Sequence, residues 1–273
     1  MNKSKDIAHL SSKQYSSAEK LLARWNLYDY SIPKIDIYKT ALKMLSLKGN
    51  EDIFEAGCGN GDVLLGLRRN GYTGRLVGMD INDKMFNEAK KIQKQENLRP
   101  IEFKIGSADK LPFPDKSFDL IFAFFMLYHV PDINKTLIEW KRVLKDSGKI
   151  LIATASSSNK PKHKIFKKLI EESVKETTSP QFSHFFNLEN GEKQLAKVFK
   201  VTDKFIYKGK IKIKKPELYL KALDSIRDMF DPTIPISIWN KERNAIEAKI
   251  EKEIEKYGHF TDTVKRGFFI CEK

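Results

Sequence analysis

The chain has 273 residues, of which 41% are hydrophobic and 32% charged, and a formal net charge of +14. That length supplies one large domain, or one domain with a substantial insertion, with ample chain for a core. The composition excludes disordered, collagen-like and disulfide-framework classes.

The two cysteines, Cys58 and Cys271, lie far apart without ligand-type spacing, which predicts free thiols in a reducing compartment. The charge excess is diffuse: residues 1–155 carry 25 basic and 19 acidic side chains, and residues 156–273 carry 25 and 17. Only 9 of the 50 basic residues are arginine, the type that favours bidentate phosphate and base contacts. Nucleic acid is therefore the lesser partner class. The polar start has no apolar signal region, and the longest apolar run, Leu120 to Tyr128, is too short to cross a bilayer. A cytoplasmic protein with no membrane association is expected, as a monomer or homodimer.

Residues 12–48 show helical spacing, with Leu21, Leu22, Trp25 and Tyr28 on one face and Ile37, Ala41, Leu42 and Leu45 on another, separated by Pro33. Strands then alternate with helices. Strands are expected at Asp52–Ala56, Leu76–Met79, Ile101–Ile105, Phe118–Met126 and Lys149–Thr154, the fourth apolar enough to be central and covered on both faces. The helices between them run from about Asp62 to Asn70, from an Asn82 cap to about Glu96, and from Pro131 to Leu144. This alternation implies a parallel sheet with right-handed crossovers.

Beyond a polar turn at Ser156–Asn159, helices are expected at Lys162–Lys175, Glu189–Val198 and Pro216–Met229, with a longer one marked by Ile246, Ile250 and Ile254 and ending near Gly258. Strands are expected at Phe199–Ile213 and Gly267–Cys271. Lys208, Lys210, Lys212 and Lys214 alternate with Ile211 and Ile213, the pattern of an edge strand blunted by lysines more than of a polyanion-binding ribbon.

The chemistry concentrates where the first strand meets its helix, in Glu55-Ala56-Gly57-Cys58-Gly59-Asn60-Gly61. Glycines there let a ligand approach the backbone. A dinucleotide fingerprint counted from Gly57 wants glycine where Asp62 stands, and no Gly-Lys-Ser/Thr follows as a phosphate loop requires. Two carboxylates flanking the turn suit a positively charged ligand. His129 follows the fourth strand at the carboxyl edge, where open α/β folds bind ligands. An imidazole, with an ordinary pKa of roughly 6.5, can take a proton from a hydroxyl or amine near neutral pH, which makes His129 the acid–base candidate. No His/Cys/Asp cluster has metal-ligand spacing, so no metal is expected.

With these motifs the chain resembles the class I S-adenosylmethionine-dependent methyltransferases, in the branch that holds many bacterial small-molecule methyltransferases. Glu55, Gly57, Gly59 and Gly61 match the acidic-x-Gly-x-Gly-x-Gly motif. Asp80, Gly106-Ser107-Ala108-Asp109, Leu111-Pro112-Phe113, Phe118-Asp119-Leu120-Ile121, Tyr128-His129-Val130 and Arg142-Val143-Leu144 through Gly148 follow in the family's order. The likeness is good over about residues 50–155 and weaker through Phe186–Gly191 to Phe268-Phe269-Ile270.

The resemblance implies a Rossmann-like, seven-stranded, mostly parallel sheet with helices on both faces, an N-terminal helical cover and a late helical insert. The stretches expected are 1–48 for the cover, 49–155 for the cofactor-binding core, and 156–273 for the insert or cap with the last strands. It implies S-adenosyl-L-methionine as cofactor and S-adenosyl-L-homocysteine as product. Gly57, Cys58 and Gly59 would lie against the cofactor's amino-acid portion, with Glu55 near its ammonium or sulfonium. Asp80 would accept from the ribose hydroxyls, Ile81 would pack on adenine, and Ala108 and Asp109 would meet its ring nitrogen and amino group.

A carbonyl of Phe124 or Phe125 would face the ammonium, and Arg24 the carboxylate. Tyr28, Tyr30, Tyr128 and His184 are candidates for the acceptor pocket. Phe182, Phe185, Phe186, Tyr219, Met229, Phe230 and Trp239 read more as core, and His9 and His259 as exposed. The expected activity is methyl transfer to an oxygen, nitrogen or carbon nucleophile of a small organic molecule. The alternatives are an rRNA or tRNA methyltransferase and a non-catalytic cofactor-binding protein.

Overall fold

The computed structural model describes residues 18–82, 84–174, 184–230 and 232–273; His9 and Phe182 lie outside these. Chain contacts divide the protein into two compact units, neither of them one continuous stretch of sequence.

The sheet unit comprises residues 36–157, 182–206 and 266–273. The sequence had grouped Ile37–Leu45 with the amino-terminal cover; as helix α2 it belongs to this unit. The Asp36 carboxylate caps it by accepting from the Lys39 N–H at 2.9 Å. Strand β2 (Ile53–Ala56), helix α3 (Asp62–Arg69), strand β3 (Leu76–Asp80), helix α4 (Lys84–Gln95) and strand β4 (Glu102–Ile105) follow. Strand β5 (Phe118–Phe124), helix α5 (Ile133–Val143) and strand β6 (Leu144–Ala155) complete the alternation. Strands β2 to β6 pair in parallel.

After the short helix α7 (Gly191–Leu195), strand β7 (Lys200–Ile213) begins in this unit, and strand β8 (Phe260–Glu272) ends in it, antiparallel to β6. Among the described residues the sheet order is β1-β7-β8-β6-β5-β2-β3-β4. That is eight strands where seven were expected. The additional one, β1, is the pair Ser31–Ile32, set against Ile211 and Lys210 and followed directly by Pro33. Two residues carry no periodicity, so nothing in the sequence marks it.

Side chains alternate across the sheet. Phe54, Ile121, Ile152 and Phe269 meet Trp140 of α5, Phe186 and Leu195 on one face. Ile53, Phe122, Leu151 and Ile270 meet Ile37 and Ala41 of α2 and Leu64 and Leu65 of α3 on the other. By the same alternation Glu55, Phe124 and Phe268 belong to the α2 face. β5 is central and almost wholly buried, as its apolar sequence predicts.

The helical unit comprises residues 1–35, 158–181 and 207–265. It holds α1 (Ala18–Asn26), α6 (Pro161–Ser173), α8 (Pro216–Asp224) and α9 (Ile236–Tyr257), the last closed by Gly258 at φ +74°. Its interior is aromatic: Tyr219 and Phe260 lie 4.8 Å apart between ring centroids, and Phe230 and Trp239 lie 5.9 Å apart. Tyr219, Met229, Phe230 and Trp239 are buried core, as their spacing suggested. Lys208, Lys210 and Lys212 of β7 are exposed while Tyr207, Ile211 and Ile213 are buried, but β7 is not the edge strand that was expected, because β1 and β8 flank it in the sheet.

Candidate functional site in the sheet unit

β2 delivers the chain into a turn that only glycine forms at low cost. Gly57, Gly59 and Gly61 have φ of +63°, +53° and +73°, in the left-handed region that other residues rarely adopt. A Cβ on Gly57 would lie 2.8 Å from Met126 Cβ, so Met126, just past β5, covers the turn. A Cβ on Gly61 would meet the Phe103 ring at 2.9 Å.

Cys58 is fixed by its N–H donating to the Met79 carbonyl at 3.0 Å. Its thiol packs in the core over Gly78, whose Cβ would lie 2.7 Å from Sγ. Burial, with the Glu55 and Asp80 carboxylates, pushes that thiol well up and leaves it unreactive. Only the backbone of Cys58 is left to face a ligand.

Glu55 is 3% exposed, and its Oε2 has no hydrogen-bond partner among the described residues. Burial is the main cause of a pKa well above the carboxylate range, and Asp62 and Asp80 add to it. Asp80, ending β3, accepts from the Gly59 N–H at 2.9 Å and the Asn82 N–H at 3.1 Å. Burial raises its pKa while these N–H groups oppose the rise. A carboxylate offers roughly four acceptor positions, so Asp80 can brace the turn and still accept from a ligand. A buried carboxyl whose Oε2 has no hydrogen-bond partner among the described residues, at the end of the strand that enters the glycine turn, fits the ammonium of an amino-acid-bearing cofactor.

The adenine segment predicted at Ala108 and Asp109 is held from behind by α5. Trp140 Nε1 donates to the Ala108 carbonyl at 2.9 Å. Arg142 donates to the carbonyls of Phe113 and Leu111 at 2.8 and 3.2 Å, and the Glu139 carboxylate accepts from the Leu111 N–H at 2.8 Å. Asp109 itself accepts from Ser107 Oγ at 2.5 Å and lies 3.7 Å from Lys135 Nζ. Ile81 is half-buried after Asp80.

Phe125 has a left-handed φ of +56°, and its N–H donates to the Ala153 carbonyl at 3.0 Å. Such strain in a residue with a Cβ persists where the surroundings hold it. Tyr128 and His129 follow in a 3-10 turn, Leu127–His129, with ring centroids 4.5 Å apart, both half-buried, and the His129 N–H donates to the Met126 carbonyl at 2.8 Å.

Sequence reasoning missed three groups here. Met126 shows no signal except its place after β5. Tyr38 of α2 packs on Phe124 with centroids 4.8 Å apart. Burial first, then the Glu55 charge, pushes its hydroxyl well up, and Arg266 acts the other way. Arg266, 4% exposed, pairs with Ala155 at the carboxyl end of β6. The third group is the α5 brace of Glu139, Trp140 and Arg142, visible in sequence only as Arg142.

Arg24, Tyr28 and Tyr30 belong to the helical unit. There Arg24 donates to the Ser225 carbonyl and Oγ at 3.3 and 3.4 Å, and Asn159 Nδ2 donates to the Tyr28 hydroxyl at 3.2 Å. Tyr30 is exposed, as is His184, whose carbonyl accepts from Asn190 Nδ2 at 3.0 Å.

Comparison with known proteins gives a family for part of the chain and relatives of its fold. The family described as methyltransferase domain matches residues 54–152. The demethylmenaquinone methyltransferase of Lactobacillus johnsonii is 38% identical over 125 residues, 45% of this chain and 51% of that protein. The ubiquinone/menaquinone biosynthesis C-methyltransferase of Rickettsia bellii is 41% identical over 107 residues, 37% of this chain and 43% of that protein. The chain thus spans about half the length of the curated relatives it matches.

Among solved structures, a methyltransferase-fold protein of Bacillus halodurans superposes with a TM-score of 0.60 at 15% identity, covering 86% of this chain and 97% of that one. The [4+2]-cyclase SpnF gives 0.56 at 17% identity, covering 86% and 79%. The fold therefore does not by itself fix the reaction. Residues 54–152, which hold the glycine turn, Asp80 and the segment at Ala108-Asp109, thus match the family of methyltransferase domains.

Proposed function

We propose that the chain transfers a methyl group from S-adenosyl-L-methionine to a nucleophilic oxygen, nitrogen or carbon of a small organic molecule. The observation that carries this reading is the buried, unpartnered Glu55 carboxyl beside three left-handed glycines, with Asp80 in hydrogen-bond contact with the same turn. It is a site built for a cation that also carries hydroxyls.

When bound, the cofactor supplies a methyl group already activated on a sulfonium, which departs as a neutral sulfide. The chain's part is alignment and exclusion of water, and alignment is worth roughly 7–11 kcal/mol in such displacements. Glu55 holds the ammonium, Asp80 the ribose hydroxyls, and Asp109 with the Ala108 backbone the adenine. His129, placed at the carboxyl edge by the turn after β5, takes the proton where the acceptor is a hydroxyl or amine. A carbon nucleophile needs no such group in the displacement itself, and the two relatives above are named for quinone-precursor methylation. The diffuse, lysine-based charge supports a small acceptor over RNA. Residues outside the matched domain, in 1–48 and 156–273, select the acceptor.

Calorimetric titration with S-adenosyl-L-methionine tests the first step: saturable binding that weakens in Asp80→Ala is expected, and no binding sinks the reading. Transfer of labelled methyl into a cell extract, separated into RNA and small-molecule fractions, tests the second. Label in the small-molecule fraction is expected, and label confined to RNA replaces the acceptor class.

A further inference from the structure

The segment of residues 107–113, to which the methyl-transfer reading assigns adenine, has little to fix its shape from within. Its internal backbone bond runs from the Lys110 N–H to the Ser107 carbonyl at 3.2 Å. Helix α5, in the same unit, supplies the rest. Lys135, Glu139 and Arg142 recur at four- and three-residue intervals along one side of α5, with Trp140 beside them. The wholly buried Trp140 donates its indole N–H to the Ala108 carbonyl at 2.9 Å. The Glu139 carboxylate accepts from the Leu111 N–H at 2.8 Å and from Arg142 at 2.8 and 2.9 Å. Arg142 also donates to the carbonyls of Leu111 and Phe113 at 3.2 and 2.8 Å. Its hydrogen bonds hold the Glu139 carboxyl below the usual carboxylate range, so at neutral pH Glu139 is an acceptor only.

The bond from Trp140 has a directional consequence. The Ala108 carbonyl and the Asp109 N–H belong to one planar trans peptide group, in which C=O and N–H point opposite ways. Fixing the carbonyl toward α5 therefore aims the Asp109 N–H away from α5. Neither that N–H nor the one of Ala108 donates to another described residue. The Asp109 carboxylate accepts from Ser107 Oγ at 2.5 Å and lies 3.7 Å from Lys135 Nζ, and its roughly four acceptor positions leave capacity for a ligand. An N–H donor next to a carboxylate acceptor complements the edge of adenine, where a ring nitrogen accepts and the amino group donates. Hypoxanthine, with a carbonyl in place of the amino group, reverses both partners.

We propose that Trp140, Glu139 and Arg142 are positioning residues for base selectivity: touching no ligand themselves, they hold the Asp109 N–H and carboxylate in the register that accepts adenine and rejects hypoxanthine. This rests on the methyl-transfer reading, which brings an adenosine-bearing cofactor to the segment. Trp140 sets the direction of the peptide group, and the Glu139–Arg142 pair anchors the segment one turn further on, at both backbone groups of Leu111.

Calorimetry with S-adenosyl-L-homocysteine and S-inosyl-L-homocysteine tests it, because the two differ only at that edge of the base. The full chain is expected to bind the adenosine compound about a hundredfold more tightly, since the inosine compound mispairs two polar groups at roughly tenfold each. Trp140→Phe keeps a ring and removes the N–H, and is expected to cut that ratio about tenfold by weakening the adenosine compound alone. Glu139→Ala is expected to cut it in the same direction, and Glu139→Gln, whose amide oxygen still accepts from Leu111, to restore it. Lys141→Met removes an α5 hydrogen bond directed at the Val198 carbonyl, and is expected to leave the ratio unchanged. Absence of S-adenosyl-L-homocysteine binding defeats the methyl-transfer reading and this proposal with it. Binding with a ratio that Trp140→Phe and Glu139→Ala do not change, equal loss of both compounds, or a wild-type chain indifferent to the base overturns the positioning role alone. Glu139 is partly exposed, so its two variants decide the matter should Trp140→Phe fail to fold.

Discussion

A carboxyl as deeply buried as Glu55, with no partner at Oε2, holds its proton far above the usual carboxylate range. An ammonium placed against it favours the ionised form, so cofactor binding must expel that proton. Affinity for S-adenosyl-L-methionine is therefore expected to rise with pH through the raised Glu55 pKa and to level off above it. Calorimetry in two buffers of different ionisation enthalpy measures the released proton, and Glu55→Gln is expected to abolish the release. For the unliganded protein the sign is opposite. A folded pKa above the unfolded one gives stability that is present at low pH and lost as pH rises through the folded value. At the other end of the turn, Gly57→Ala forces a left-handed residue and sets a Cβ 2.8 Å from Met126. Strain of about 1–2 kcal/mol from the backbone alone predicts roughly tenfold weaker cofactor binding, read in the same titration.

Elements show which of these features a sequence announces. The strands β2, β3 and β5 and the turn after β2 were readable because apolar runs and glycine are local signals, fixed by burial and by φ. β1 was not, because two residues before Pro33 have no period, and α7 is five residues where Glu189–Val198 suggested ten. Arg24 was assigned to the cofactor carboxylate from its position alone, and within the helical unit its Nη1 donates to the Ser225 carbonyl. Tyr38 and Arg266 reach the α2 face of the sheet through a helix packed on β5 and an antiparallel return strand, relations that no spacing encodes. The same is true of α6, which has no side-chain cap of its own and borrows Asp262 from β8. Asp262→Ala strands those N–H groups and the buried Tyr219 hydroxyl together. A loss of about 2–4 kcal/mol in urea unfolding is expected, with Asp262→Asn milder because an amide oxygen still caps the helix.

At the scale of the molecule, the matched domain and the folded unit are different objects. Residues 54–152 carry the motifs, yet the sheet unit is assembled from 36–157, 182–206 and 266–273. Its last segment is short but central. Seven register pairs join β6 at 149–155 to β8 at 266–272, so β8 covers an edge of β6 that would otherwise expose its backbone. Phe268, Phe269, Ile270 and Cys271 are all buried, and they divide between the two faces of the sheet. Each large side chain lost from such a core costs about 2–5 kcal/mol, against a total stability of about 5–15 kcal/mol for a domain. A chain ending at Lys265 is therefore expected not to fold, although it keeps every residue assigned to the cofactor. Circular dichroism melting provides the measurement: loss of the cooperative transition is expected, and a near-normal transition would show that 36–157 and 182–206 close the sheet without β8.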